Sequence, residues 1–281
     1  KGSGLTTASQ VTFNSVDCTT AAKNGDGYTE GSSPFPSEIP CGIVALLAWD
    51  FIGTAGSPNT IDDSIIGAIA TLKPDGNEPA RTSSGVVLDG TDNYIDLALG
   101  AVTMGGPMTV ECVIKWNSLG NYGSLFVCDA NGGDEIVLGN AANGQVNFQI
   151  KVSSLTYSVL SNTDSSVSDI SVETRYHIAA TVSGQTMTTY INGVKKGEKT
   201  DGAEPQMMIR SECFVGKGSS WLSGEVSSLK IHAGAMTESQ VAEAAVAAGF
   251  SPSTLSVGTT VPAPLAAGAT PESLVLTLGI T

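Results

Sequence analysis

Residues 85–116, GVVLDGTDNYIDLALGAVTMGGPMTVECVIKW, decide how this chain folds. Val86, Val87 and Leu88 form a short apolar run that stops at Asp89-Gly90, a dipeptide that readily takes the positive-φ geometry of a hairpin or bulge. Tyr94-Ile95-Asp96-Leu97 resumes an extended pattern, and beyond Gly105-Gly106-Pro107 comes the clearest strand in the protein. There Met108, Val110, Cys112, Ile114 and Trp116 alternate with Thr109, Glu111, Val113 and Lys115. A period of two sends alternate side chains to opposite faces, so this strand is expected to bury one face and leave the other mostly wet.

Downstream, Ser124 to Cys128, Glu135 to Leu138, Val146 to Val152 and Leu155 to Leu160 follow one another with Gly, Asn or Ser between them, the spacing of a meander. Tyr176, Ile178, Ala180 and Val182 alternate inward, Ser183-Gly184 reverses the chain, and Met187, Thr189 and Ile191 return. Asn192-Gly193 then predicts a type I′ turn, and Val226 to His232 a closing strand. Upstream, Ile43 to Phe51 reads as the first core strand. Gly53 to Thr82, broken by Pro58, Pro74 and Pro79, reads as a long excursion with at most one short strand, Ala68 to Leu72. One helix is predicted, from a capping box at Thr237 and Gln240 through Ala242 to Ala248, with Gly249 in the left-handed position that ends it.

Composition supports an all-β protein: 33 glycines and only 14% charged residues in 281, with few helical patterns. A formal charge of −14, with basic residues clustered nowhere beyond Lys195-Lys196, argues against nucleic acid and anionic membrane surfaces and favours solubility and divalent cations. No apolar run reaches the ~20 residues of a bilayer span. The simplest organisation is a loop-rich extension over 1–42, one sandwich over 43–250, and a linker plus terminal strand over 251–281. In the tails only Val11 and Phe13, and then Leu274, Leu276, Leu278 and Ile280, alternate like strands. Such strands outside a closed domain must pair with some sheet edge, which makes these six residues candidates for self-association by strand addition.

Leu88-Asp89-Gly90-Thr91-Asp92-Asn93-Tyr94-Ile95 followed by Thr109 to Trp116 resembles the laminin-G-like and pentraxin-like branch of the concanavalin A-like lectin/glucanase superfamily. Four further stretches agree in order: Trp49-Asp50-Phe51; Arg175 to Thr181 with Thr189 to Val194; Phe214-Val215-Gly216; and Gly224 to His232. The resemblance covers about residues 43 to 249. It implies an all-β, two-sheet antiparallel jelly-roll sandwich with one short helix near its C-terminal side and extended tails, located outside the cell or on a cell or virion surface. For such a location a Cys18–Cys41 disulfide is the preferred pairing. Cys112, in phase with core residues, is open between a buried free thiol and a bridge to Cys128 or Cys213. The resemblance also implies a structural calcium, for which Asp50, Asp89 and Asp92 are the candidate ligands. Where the family places a further Asp, this chain has Ser227.

Catalytic signatures are missing. The hydrolases of this superfold show Glu-x-Asp-x-x-Glu, which does not occur here, and the adjacent pairs Asp62-Asp63 and Asp134-Glu135 would face opposite sides of a strand. With only His177 and His232, and no Gly-x-Ser-x-Gly, a nucleophile triad is unsupported, and His177 reads as structural. Sugar binding needs an aromatic platform beside hydrogen-bonding side chains. Trp49 and Trp116 lie in core phase, leaving Trp221 and Tyr122, both among Gly, Ser or Asn, as candidates. The sequence therefore predicts a non-catalytic extracellular recognition or adhesion module whose partner is a glycan or glycoprotein. The alternative is a structural subunit of a filament, cell surface or virion that assembles through its terminal strands.

Overall fold

A computed structural model describes residues 43–251 apart from 44, 55, 56, 101, 120, 121, 131 and 132. The strands run β1 (Ala45–Asp50), β2 (Thr60–Asp62), β3 (Ile69–Lys73), β4 (Ala80–Thr82), β5 (Gly85–Asp89), β6 (Tyr94–Ala98), β7 (Thr103–Met104), β8 (Met108–Trp116) and β9 (Ser124–Ala130). Then come β10 (Asp134–Asn140), β11 (Val146–Val152), β12 (Leu155–Leu160), β13 (Arg175–Ser183), β14 (Thr186–Ile191), β15 (Val194–Lys199), β16 (Met208–Ile209), β17 (Glu212–Val215) and β18 (Ser223–Ala233), followed by helix α1 (Glu238–Ala247). Two eight-stranded antiparallel sheets stack as a sandwich. The first has the order β15-β14-β13-β8-β18-β5-β4, with β1 also on β18; the second has the order β12-β11-β10-β9-β17-β6-β3-β2. Strand β18 is long enough to pair with β5 through Ser223 to Val226 and with β1 through Ser228 to His232. Pairing of β8 with the distant β13 and β18 gives the crossed connections of a jelly roll.

The core lies between the sheets. Met108, Val110, Cys112, Ile114 and Trp116 of β8 are all buried in it with Phe126, Leu138, Phe148, Val226 and Ile231. Period two thus fixes the inner face as expected, and Trp49 and Trp116 are packing residues. The outer face of β8 departs from expectation. Thr109, Glu111 and Val113 are buried as well, at 0%, 3% and 5% exposure. The chain after β18 covers them: Thr109 Oγ1 donates to the Gly234 carbonyl and accepts from the Met236 amide, and Val241 of α1 packs on Ala179 and Tyr190. Periodicity reports which face a residue is on, and a later element decided that this face is dry.

Under that cover sits a charged cluster. His177 Nε2 is 3.3 Å from Glu111 Oε2, and the Lys230 ammonium is 3.0 Å from Oε1. His232 Nε2 lies 3.4 Å from Oε1, within ion-pair range but not aligned for a hydrogen bond. Burial alone would push the Glu111 carboxyl up; His177, His232 and Lys230 outweigh it and hold the group far below the ordinary carboxylate range. His177 is a structural residue here.

Other predicted elements form, with one correction. Asn192 and Gly193 have φ of 50° and 78°, as a type I′ turn requires. Thr237 and Gln240 make a reciprocal capping box, and Gly249, at φ 88°, ends the helix. The stretch from Gly53 to Thr82 is richer than predicted, carrying β2, β3 and β4 and so completing an edge of each sheet. Short runs interrupted by Pro have too few residues to show a period, and pairing with β5 and β6 makes them strands. A second feature gives no sequence signal: Arg210, 0% exposed, donates to the carbonyls of Met104, Cys128, Asp134 and Gln206 at 3.1 to 3.4 Å, tying the small β7–β16 ladder to the second sheet.

Cys128 and Cys213 face each other across β9 and β17 and form a disulfide, with Cα atoms 4.0 Å apart. Cys112 is a buried free thiol, and burial followed by the neighbouring Glu111 raises its pKa. Cys18 and Cys41 lie outside the described residues. Closing a loop over a separation of 85 residues restricts the unfolded chain by about 4 to 5 kcal/mol.

Two outcomes are expected. Non-reducing peptide mapping should find Cys128 linked to Cys213, with Cys112 alkylated only after denaturation. Glu111→Ala should cost about 1 to 3 kcal/mol in chemical denaturation, because it leaves the buried His177 ring without its hydrogen-bond partner. Because the folded-state pKa of Glu111 is depressed, its contribution is present above the unfolded value of about 4.3 and falls as pH drops below it. The acid limb of the stability profile should therefore be shallower in Glu111→Gln than in the parent.

Candidate functional site

The outer face of the first sheet is partly covered by α1; the outer face of the second is where a site forms. Its inward residues, Ile136, Leu138, Phe148 and Ile150, belong to the core, so their neighbours in sequence point outward. Register sets one outward row as Asp96, Phe214, Val127, Val137, Gln149 and Ser158, reading across β6, β17, β9, β10, β11 and β12.

A loop from Gly216 to Leu222, between β17 and β18, crosses this face. It is held by hydrogen bonds from Gly216 N to the Leu125 carbonyl, from Leu222 N to the Gly216 carbonyl and from Ser124 N to the Ser220 carbonyl. Gly218 lies so close to the strand beneath it that a Cβ there would sit 2.3 Å from Ser124 Oγ. On one side of this strap is a groove of about 500 Å³. Val137, Gly139, Asn147, Gln149 and Ser158 line it from the sheet, with Asn143, Tyr122 and Ser219 around them. Gly139 is obligatory, since a Cβ would lie 2.3 Å from the Gly123 carbonyl oxygen. No charged side chain lines the groove among the described residues.

The groove offers hydrogen bonds in both senses. Ser158 Oγ donates to Asn147 Oδ1 at 2.6 Å, which orients the amide and leaves its N–H donors to a ligand. Asn143 Nδ2 donates to the Ser165 carbonyl at 2.9 Å. Gln149 has no side-chain partner among the described residues. Tyr122 lines the rim, 57% exposed, at φ 56°, a left-handed conformation that costs a non-glycine residue on the order of 1 kcal/mol.

The two predicted sugar-contact residues are thus separated. Tyr122 belongs to the groove, whereas Trp221, 38% exposed, is a residue of the strap itself, outside the groove lining, and packs against Tyr94 with ring centroids 6.0 Å apart. Asn143, Asn147, Gln149 and Ser158 escaped sequence reasoning, because an outward polar residue on a strand looks the same whether it faces a groove or open solvent.

The proposed calcium ligands do not assemble. Asp89 Oδ1 accepts the amides of Thr91, Asp92 and Asn93, and Asp50 Oδ1 accepts that of Ile52, so both stabilise their own turns. Asp92 lies beside Asn93 Nδ2. Where the family places a further Asp, Ser227 accepts from the Arg175 guanidinium at 3.0 Å, which puts a cation where a metal would need an anion. Among the described residues no group of three or more His, Cys, Asp or Glu is arranged to hold a metal. Asp50, Asp89 and Asp92 are thus each engaged locally and are not gathered into one metal site among the described residues. The alternating tail residues Val11, Phe13, Leu274, Leu276, Leu278 and Ile280 lie outside the described residues.

Three carboxylates do stand side by side on this sheet. Asp129 is directly opposite Glu212 on one side and Glu135 on the other, and burial, then the Asp129 charge, raises the pKa of Glu135. None of the three lines the groove.

The chain belongs to the concanavalin A-like lectin/glucanases superfamily, whose laminin-G-type family model matches residues 89–242. No curated protein matches it in sequence. Among solved structures it is similar to domain 4 of AbnA, an extracellular GH43 arabinanase from Geobacillus stearothermophilus, in complex with arabinotriose: 20% identity, TM-score 0.56, over 73% of this chain and 99% of that one. It is also similar to the receptor-binding domain of a botulinum neurotoxin of mosaic serotype C/D (13% identity, TM-score 0.54, 72% of this chain and 50% of that one). A third likeness is the Trypanosoma rangeli sialidase in complex with sialic acid (11%, TM-score 0.50), of which the chain spans 33% while 72% of the chain is covered. The fold is thus shared by enzymes and by binding domains. No helix among the described residues is long and apolar enough to cross a membrane.

Millimolar calcium is expected to leave the melting temperature unchanged, and a thermal melt with calcium against chelator measures this.

Proposed function

We propose that this protein is a non-catalytic, extracellular carbohydrate-binding module that takes a neutral stretch of glycan into the groove on its second sheet. The observation that carries this reading is an uncharged concavity furnished with amides and hydroxyls beside an exposed tyrosine, in a chain whose net charge is −14. Sugars present alternating donors, acceptors and C–H faces, and planar amides with one aromatic ring complement that pattern. Glycosidic hydrolysis needs two carboxyl groups about 5 to 9.5 Å apart across the scissile bond, and the groove supplies none among the described residues. The arabinotriose complex of the AbnA domain adds support by likeness of fold. The Cys128–Cys213 disulfide suits an oxidising, extracellular setting.

On a glycan array the protein should give discrete neutral oligosaccharide hits. Gln149→Ala and Asn147→Ala should each weaken the best hit about tenfold, the loss of about 1.4 kcal/mol expected for a ligand hydrogen bond. A blank array, or variants that bind as tightly as the parent, would remove the proposal. Prolonged incubation with the bound glycan should release no reducing ends, in the parent and in Glu135→Gln alike.

A further inference from the structure

Outside the groove lining, four side chains, two of them carried by the strap itself, meet on the same outer face. Tyr94 and Phe214 pack edge to face with centroids 5.7 Å apart, and Trp221 lies 6.0 Å from Tyr94 at a tilt of 48°. The Lys217 ammonium stands 4.5 Å from the Tyr94 centroid and 4.4 Å from that of Phe214. Acidic residues outnumber basic ones 27 to 13 in this chain, yet Lys217 has no carboxylate partner among the described residues. Two ring faces hold it instead, an attraction that positions the ammonium while leaving its N–H donors free. The neighbouring Lys73, opposite Tyr94 on β3, differs in being paired with Asp75 at 2.8 Å. Asp96, opposite Phe214, lies within the field of Lys73.

We propose that Tyr94, Lys217 and Trp221 form a second subsite, for a carboxylated sugar ring of the same glycan that occupies the groove. The proposal rests on the reading of the groove as a sugar site and adds a chemical class to it. A uronate ring offers what this cluster complements, an apolar C–H face for the exposed Trp221 ring and one carboxylate for one ammonium. Position favours a shared ligand, because Ser219 lines the groove only two residues from both Lys217 and Trp221. The strap's backbone hydrogen bonds and the tight seat of Gly218 hold these groups in place before a ligand arrives, which lowers the ordering cost of binding. The net negative charge does not forbid an acidic ligand, since exposed charges beyond about 8 Å are screened at physiological salt.

The three tryptophans give the test a local reporter: Trp49 and Trp116 are buried at 2% and 0% exposure, so emission changes on adding sugar report Trp221. Trigalacturonate should be titrated against its carboxyl-reduced, neutral counterpart, with calorimetry and tryptophan emission recorded together. The expected result is at least fivefold tighter binding of the uronate, with an emission shift, and loss of that preference in Lys217→Gln. Equal affinities, a preference that survives Lys217→Gln, or binding without an emission change would overturn the proposal. If Gln149→Ala weakens both sugars alike and no preference exists, the groove stands and the second subsite falls. If the preference and its loss in Lys217→Gln appear while Gln149→Ala changes nothing, the subsite stands and the groove falls. If neither sugar binds, both fall.

Discussion

Strand β8 is the member on which the molecule depends, because it is enclosed on every side. It hydrogen-bonds to β13 and β18 along both edges, turns Val110, Cys112, Ile114 and Trp116 into the space between the sheets, and carries Thr109, Glu111 and Val113 beneath later chain. A strand buried on both faces normally reads as continuous apolar sequence. This one does not, and Glu111 is tolerated because His177 lies within hydrogen-bond distance of one carboxylate oxygen while the partly exposed Lys230 ammonium pairs with the other.

The two sheets then have unequal outer faces. That of the first is closed where α1 and the turn before it bring Met236 and Val241 onto Ala179 and Tyr190. That of the second is left open over β10 to β12, where the groove forms. The disulfide links the interior to this open face, since Cys213 is bonded to β9 and the strap begins three residues later at Gly216. Phe214, between them, turns outward to meet Tyr94 and Lys217.

Chemistry on the open face changes along the sheet. The groove over β10 to β12 is lined by no charged side chain, Asp96 and Phe214 stand at the β6–β17 end of the same row beside the aromatic cluster with its lysine, and Glu212, Asp129, Glu135 and Lys151 occupy a separate register row. Enzymes of this superfold and binding domains share the same backbone, so the distinction between them rests on which side chains point outward from a few strands.

By itself the sequence determined the β-sandwich class, the inner faces of β8 and β13, the Asn192-Gly193 turn, the capping box at Thr237 and the exposure of Tyr122 and Trp221. Each is written within a few neighbouring residues, where a period of two or a turn dipeptide leaves a local mark. The dryness of Glu111, the choice of Cys213 as partner for Cys128, the burial of Arg210, the strands within 53–82 and the gathering of Asn147, Gln149 and Ser158 around one groove were decided only by tertiary structure. All of these depend on chain segments brought together from far apart, and a local pattern carries no record of what will later be laid across it.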